Sequence, residues 1–242
     1  MSMRVWLQEM TGNEVGWVAW CLDVQGFATW AETEGEVLAR VPGKLEAHKA
    51  WLARHGLVGV AASSEASNGA ASGVEVVDTA RGNEVLFLPD CEPCEVSEIE
   101  LTLRLLSASR ADLVQTVEGL PEQALDWDPP YRAFLDWATW RSVRQILAHV
   151  ANCETHYYLP AIGGKSQLPP ASPEGDWHQF LAAHRAQTVS FLEQLKESRD
   201  RARVIVGGEA WSVRKVLRRL VWHELLHWKS IRRIGREFEQ QA

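Results

Sequence analysis

Two histidines four residues apart, His223 and His227, lie in a helical stripe between Leu220 and Ile231, so their side chains stack on one face and point into a core. A buried imidazole needs partners for its ring nitrogens, and a metal ion shared between neighbouring rings satisfies them together. A third ligand must come from another element. His149 qualifies, because Ile146, Val150 and Cys153 set it on the core side of its own helix. One histidine in such a stripe reads as a hydrogen-bonded core residue. Three on matched core faces read as ligands, and the expected metal set is His149, His223 and His227. Three neutral imidazoles with positions left open describe a catalytic site, since structural zinc sites close with four protein ligands.

The string His223-Glu224-Leu225-Leu226-His227 also fits H-E-x-x-H, in which the glutamate is the general base of a zinc metalloprotease. Such enzymes take a third ligand downstream, and only fifteen residues follow His227. Ser230 and Arg233 stand where the G-x-x-H extension needs glycine and histidine, so the protease is the lesser alternative. Glu224 and Glu154 each sit one residue beyond a position on the ligand face. They are the candidate catalytic acids, able to orient a ligand or move a proton, with ordinary helix-surface acids as the bland reading. His184 reads as a satisfied core histidine, with a fourth ligand or a donor to the site as the alternative. Cys91-Glu-Pro-Cys94 is a C-x-x-C without a second pair and reads as boundary residues rather than a zinc or redox site.

Helices must position these residues, and the second half of the chain is patterned for them. Ser97-x-x-Glu100 predicts the cap of a helix with Val96, Ile99, Leu103, Leu106, Leu113, Val117 and Leu120 on one face, ending before Pro121. Ser142-x-x-Gln145 caps a second helix, with Val143, Ile146, Val150, Cys153 and Tyr157 aligned, that stops at Pro160. Ser172-Pro173 predicts the start of a third, striped by Trp177, Leu181, His184, Thr188, Phe191 and Leu195. After a turn at Gly207-Gly208 a long fourth helix begins at Ser212. A weak repeat, Trp140-Arg-Ser-Val-Arg against Trp211-Ser-Val-Arg, makes the second and fourth helices start alike.

The first half reads differently. β-type runs cover Arg4 to Met10, Val15 to Leu22 and Gly26 to Trp30, with a hairpin turn over Thr11 to Glu14. Thr33-x-x-Glu36 caps a helix whose Pro42-Gly43 predicts a kink. Residues 61 to 73 are small, polar and aperiodic and read as a mobile loop. Val74 to Val77 and Glu84 to Leu88 are expected as two further strands. The boundary falls near Pro89 to Cys94, giving domains over residues 1–93 and 94–242 and an α+β fold class.

Composition excludes several functions. The chain has 242 residues, 46% of them apolar, and a net charge of -7, which argues against nucleic-acid or anionic-membrane partners because phosphate binding draws on Lys and Arg. Eight Lys and Arg between Arg214 and Arg236 are spread round the helix and read as a solvated face pairing with acids of other helices. No basic leader or long apolar run is visible, so a soluble, cytoplasmic protein with four reduced cysteines is expected.

Residues 96 to 240 resemble the DinB/YfiT-like superfamily of bacterial metal-binding four-helix bundles. The matching stretches are Trp140 to Tyr158, with His149, and Trp211 to Ile234, with His223-x-x-x-His227. The resemblance implies a zinc or nickel ion on that triad, and a transferase or isomerase that in some members uses a small thiol. Residues 3 to 55 are similar to HicB-like antitoxin domains through Gly16-Trp-Val-Ala-Trp-Cys-Leu-Asp-Val-Gln-Gly26-Phe-Ala-Thr and the helix after Thr33, though both prolines of the usual Pro-Asp-Leu-Pro-Gly are missing. The combined expectation is a HicB-like α+β domain followed by a DinB-like bundle. The function expected is that of a metal-dependent transferase or hydrolase acting on a small molecule, in a possible homodimer. The rival from another class is a non-catalytic, metal-stabilised binding, stress-response or toxin–antitoxin module.

Overall fold

The computed structural model describes residues 2–11, 14–57, 73–131, 138–206 and 209–241. The chain divides into two compact units, Met1–Cys94 with Ala202–Arg218 and Glu95–Arg201 with Arg219–Ala242. The fold class is α+β, with a small sheet in the first unit and helices in the second.

In the first unit β1 (Met3–Met10), β2 (Gly16–Trp20) and β3 (Ala28–Ala31) form an antiparallel meander. β4 (Val74–Arg81) joins the other side of β1 in parallel, giving the order β3-β2-β1-β4. Alternation along β1 decides the layers. Val5 and Leu7 pack with Ala19, Ala31 and the Val37 and Val41 stripe of α1 (Glu34–Arg54). Thr33 caps α1 by accepting from the Glu36 N–H, as its spacing predicts, and the helix runs unbroken through Pro42. Trp6 and Gln8 point the other way. There Gln8 accepts from the Trp20 indole at 3.0 Å and donates to the carbonyls of Gly82 and Asn83, tying β2 to the turn after β4. Gly16 is required at the start of β2: its φ is +117°, and a Cβ there would lie 2.6 Å from Trp30 Nε1. Gly12 and Asn13 of the expected hairpin turn, and residues 61–72 of the expected loop, lie outside the described residues.

Glu84 to Leu88 does not form the second strand expected from its apolar run. Phe87 is wholly buried and precedes a 3₁₀ turn over Leu88–Cys91, whose Asp90 carboxylate accepts from the Phe87 N–H. This segment supplies acids to the first two turns of the last helix, α7 (Val213–Glu239). Arg218 grips Asp90 through two nitrogens at 3.0 and 2.7 Å and lies over the Trp20 ring; Lys215 reaches Glu84 at 2.9 Å, and Arg214 reaches Glu92 at 2.9 Å. The reading of a solvated face is therefore corrected for the first two turns of α7, where Lys215 and Arg218 are buried on acids of residues 84–92 rather than of other helices, while Lys229, Arg232, Arg233 and Arg236 are exposed as that reading expects. β5 (Val204–Val206) and β6 (Ala210–Ser212) form a small antiparallel pair before α7; Gly207-Gly208, where a turn is expected, lie outside the described residues.

Among the described residues, the second unit has four long helical stretches and a short linking helix. α2 (Val96–Glu118) starts two residues earlier than Ser97 predicts, with the Glu95 N–H bound by the Glu98 carboxylate at 2.8 Å. The short α3 (Glu122–Leu125) leads to α4 (Val143–Asn152), where Ser142 and Gln145 form the predicted reciprocal cap. The Ser212 hydroxyl accepts in the same way from the Lys215 N–H, so the repeated Trp…Ser-Val element starts both helices. α4 continues through a π-helical stretch, Cys153–Tyr158, into α5 (Leu159–Ala161). The wider turn shifts the buried face, so Glu154, Thr155 and Tyr158 point inward where α-periodicity predicts Tyr157. α6 (Trp177–Lys196) begins at Asp176, which accepts from the N–H groups of His178 and Gln179; Ser172-Pro173, expected as its start, instead lies in a turn closed by Gly175. The core contains Ile99, Leu105, Leu113, Ile146, Leu147, Val150, Leu181, Leu192, Ile231 and Ile234.

Candidate metal centre

α7 carries His223 and His227 one turn apart, and their Nε2 atoms stand 3.1 Å from each other. α4 brings His149 to the same point, its Nε2 3.0 Å from that of His223. Trp140 stacks on the His149 ring at 3.6 Å between centroids and 12° between planes, and Tyr158 meets His223 edge-on at 5.6 Å. Cys153, one turn beyond His149, places Sγ 3.6 Å from His149 Nε2. His149, Cys153 and His223 have donor atoms all within 4.8 Å of one another.

Burial holds the His149 and His223 rings neutral. It pushes His149 down to about 4, and pushes His223 well below the usual histidine value, with His149 and Arg219 adding to the effect. A neutral imidazole nitrogen offers either one N–H or one lone pair, so His223 Nε2 can make a good hydrogen bond with only one of its two neighbours. Two nitrogens bound to one ion at about 2.0 to 2.2 Å stand about 3 Å apart at right angles and about 3.3 to 3.6 Å apart at the tetrahedral angle. The observed spacings of 3.0 and 3.1 Å lie at the short end of that range, so the donor set fits a divalent cation after small ring rotations.

Glu224 and Glu154 are not surface acids: they are 1% and 4% exposed and belong to a closed ring of charge. Arg110 of α2 binds Glu224 Oε1 and Glu154 Oε1, both at 2.5 Å. Arg185 of α6 binds both oxygens of Glu154, at 3.0 and 2.8 Å, and Glu224 Oε2 at 2.8 Å. Ser109 also donates to Glu224, while the carbonyls of Leu181 and Leu106 take further guanidinium N–H groups. Each helical stretch of the unit gives one charged member, and the four charges cancel. Burial alone would raise the Glu224 pKa, but Arg110 and Arg185 bring it down to about 2. The Arg185 guanidinium, which burial alone would weaken as a cation, is held protonated by Glu154 and Glu224.

His184 is buried against the Thr155 hydroxyl at 2.6 Å, in keeping with a satisfied core histidine; it stands outside the compact donor group, as does His227, whose Nε2 meets that of His223. Cys91 is exposed and Cys94 buried, and neither is in a disulfide. Sequence reading did not name Cys153 as a donor or identify Trp140, Arg110 and Arg185. Cys153 was legible from its i+4 spacing to His149.

Fold and site together define a helical unit with a buried imidazole cluster spaced to share a divalent ion. A sequence model of the DinB superfamily matches residues 105–231, more than half of the chain, and the protein belongs to that superfamily. The match spans every member of the cluster and of the charge ring. No match was found among curated proteins or solved structures.

Proposed function

We propose that the protein is a metal-dependent enzyme acting on a small molecule, with zinc or nickel held by His149, His223 and His227. The observation that carries this reading is His223 Nε2, which stands 3.0 Å from that of His149 and 3.1 Å from that of His227. When bound, the ion supplies Lewis acidity, which polarises a small substrate or draws the proton from a water or thiol at neutral pH. The chain's own residues prepare the place. Burial keeps His149 and His223 unprotonated, with lone pairs available, and Trp140 fixes the plane of His149 by stacking on it. Glu154 and Glu224 position rather than transfer protons, since their four oxygens already accept from two arginines. A carboxylate whose two oxygens are both held by arginines, which lower its pKa, is a poor base for the metalloprotease role at neutral pH. Residues 3 to 55, in β1 to β3 and α1, are read as a HicB-like regulatory module.

The test is to load the full chain with zinc or nickel and assay transfer of small thiols to electrophiles and hydrolysis of small esters and amides. Turnover lost in His227→Ala and on chelation is expected. Metal binding without turnover would favour the second reading, a metal-stabilised module, for which Cys153 beside the cluster is the supporting observation.

A further inference from the structure

We propose that the cavity at the head of α4 is a recognition pocket for a free α-amino acid, whose carboxylate and ammonium groups meet opposite charges already set in its walls. The inference goes beyond the metal reading and rests on it only for the chemistry at the amino acid's far end. A cavity of about 490 Å³, a size that suits small-molecule sites, lies between the segment after α3, the first turn of α4 and the loop before α6. Its lining includes Asp126, Asp128, Arg141, Arg144, Gln145 and Glu174.

Depth sorts the two signs. The Arg141 and Arg144 side chains are 17% and 21% exposed, whereas Asp128 and Asp126, their partners at 2.6 and 3.1 Å, are 62% and 67% exposed. Guanidinium groups therefore form the floor and carboxylates the mouth, with exposed Glu174 adding a third acid from the loop before α6. That loop is fixed to α4, since Asn152 donates to the Ala171 carbonyl at 3.0 Å and accepts from the Ala171 N–H at 2.7 Å. Ion pairs with acids this exposed contribute little, so a ligand carboxylate can take the guanidinium groups in their place. The displaced aspartates then face the ligand's ammonium group. Three carboxylates (Asp126, Asp128, Glu174) against two guanidinium groups (Arg141, Arg144) leave the lining one negative charge in excess, which opposes a phosphate, while the guanidinium floor opposes a plain polyamine. A zwitterion answers both signs at once.

The pocket adjoins the histidine cluster within the second unit. Gln145 precedes His149 by four residues of α4, about 6 Å along its axis, and Trp140, the neighbour of Arg141, stacks on the His149 ring. An amino acid held by its two charges can thus extend its side chain toward the ion. The substrate class of the proposed enzyme is then an α-amino acid.

The test is a thermal-shift screen of the full chain, after chelation of divalent metal, against each proteinogenic L-α-amino acid. The strongest responder, its N-acetyl form and its α-carboxamide are then titrated by calorimetry. Wild type is expected to bind the parent and to lose about 10- to 100-fold in affinity for each blocked form, the worth of one charge-assisted contact. Glu174→Gln, at an exposed loop position, and Arg144→Gln should weaken binding by a similar factor, with circular dichroism confirming that each variant folds. Folded wild type that binds no amino acid, that prefers inorganic phosphate or putrescine, or that binds the blocked forms equally well overturns the proposal, as does affinity unchanged in both variants. Because binding is measured on metal-free protein, its failure leaves the three histidines standing. Folded wild type that binds neither zinc nor nickel overturns the metal reading and leaves the pocket.

Discussion

His149, His223 and His227 were legible because their signal is local: an i,i+4 pair in an apolar stripe, and a third ring in register with its own helix. Arg110 and Arg185 were not, since each lies on a helix face whose partners are far along the chain, 114 residues away for Arg110 and Glu224. The residues predict a melting experiment. Zinc or nickel should raise the Tm at pH 7.5; His227→Ala should abolish most of the gain, whereas His184→Ala should keep it. The pH dependence follows from the lowered His149 value. Between about 6.5 and about 4 the unfolded ring takes up a proton that the folded ring refuses, so this contribution to apo stability is complete above about 6.5 and is lost as pH falls toward about 4. The same lowering leaves the folded His149 ring with a lone pair to offer the ion below the free-histidine range. Urea melts at pH 7 and 4.5, with and without zinc, measure both effects. Equal stability at the two pH values would refute the neutral buried cluster.

Among the elements, the caps at Thr33 and Ser142 were legible, whereas Ser97 and Ser172 missed the starts of α2 and α6. Thr33 and Ser142 each sit three residues before the Glu or Gln of the box and accept the expected N–H. Ser142→Ala should cost about 1 kcal/mol in chemical denaturation, with metal affinity falling less than tenfold if α4 keeps its direction. The π-helical stretch was illegible because an i+5 turn has no composition of its own. Glu84 to Leu88 was misread because an apolar run looks alike whether it pairs in a sheet or buries one Phe before a turn. The charge ring also belongs to this scale, one member to a helix. Glu224→Gln leaves two buried guanidinium groups facing one carboxylate and should destabilise the second unit by about 3 to 5 kcal/mol. A melt unchanged by that variant would show that the ring carries no weight. A stable variant that had lost only turnover would restore Glu224 to the catalytic role.

For the whole molecule, α+β organisation was legible from the change of periodicity near residue 94, and DinB membership from two short histidine-bearing stretches. The assignment of Ala202–Arg218 to the first unit was not, because the link is three ion pairs between residues more than a hundred positions apart. No helix among the described residues is long and apolar enough to cross a membrane. A fragment of residues 95–242 should therefore melt well below the intact chain, or precipitate, since Lys215 and Arg218 lose Glu84 and Asp90. Replacing both cations with Met in that fragment should recover solubility. A fragment as stable as the parent without that repair would rule the coupling out.

α7 begins in one unit and ends in the other, and this bears on how such a protein can be inherited. A recombination event that joined a new N-terminal module at residue 94 would bring a helix whose first two turns are written for acids left behind. The histidine-bearing half could then move between genes only along with its lead-in hairpin's former neighbours, or after those basic positions had drifted to apolar ones. Descendants that acquired it by shuffling should carry that drift at 215 and 218 as a scar of the transfer.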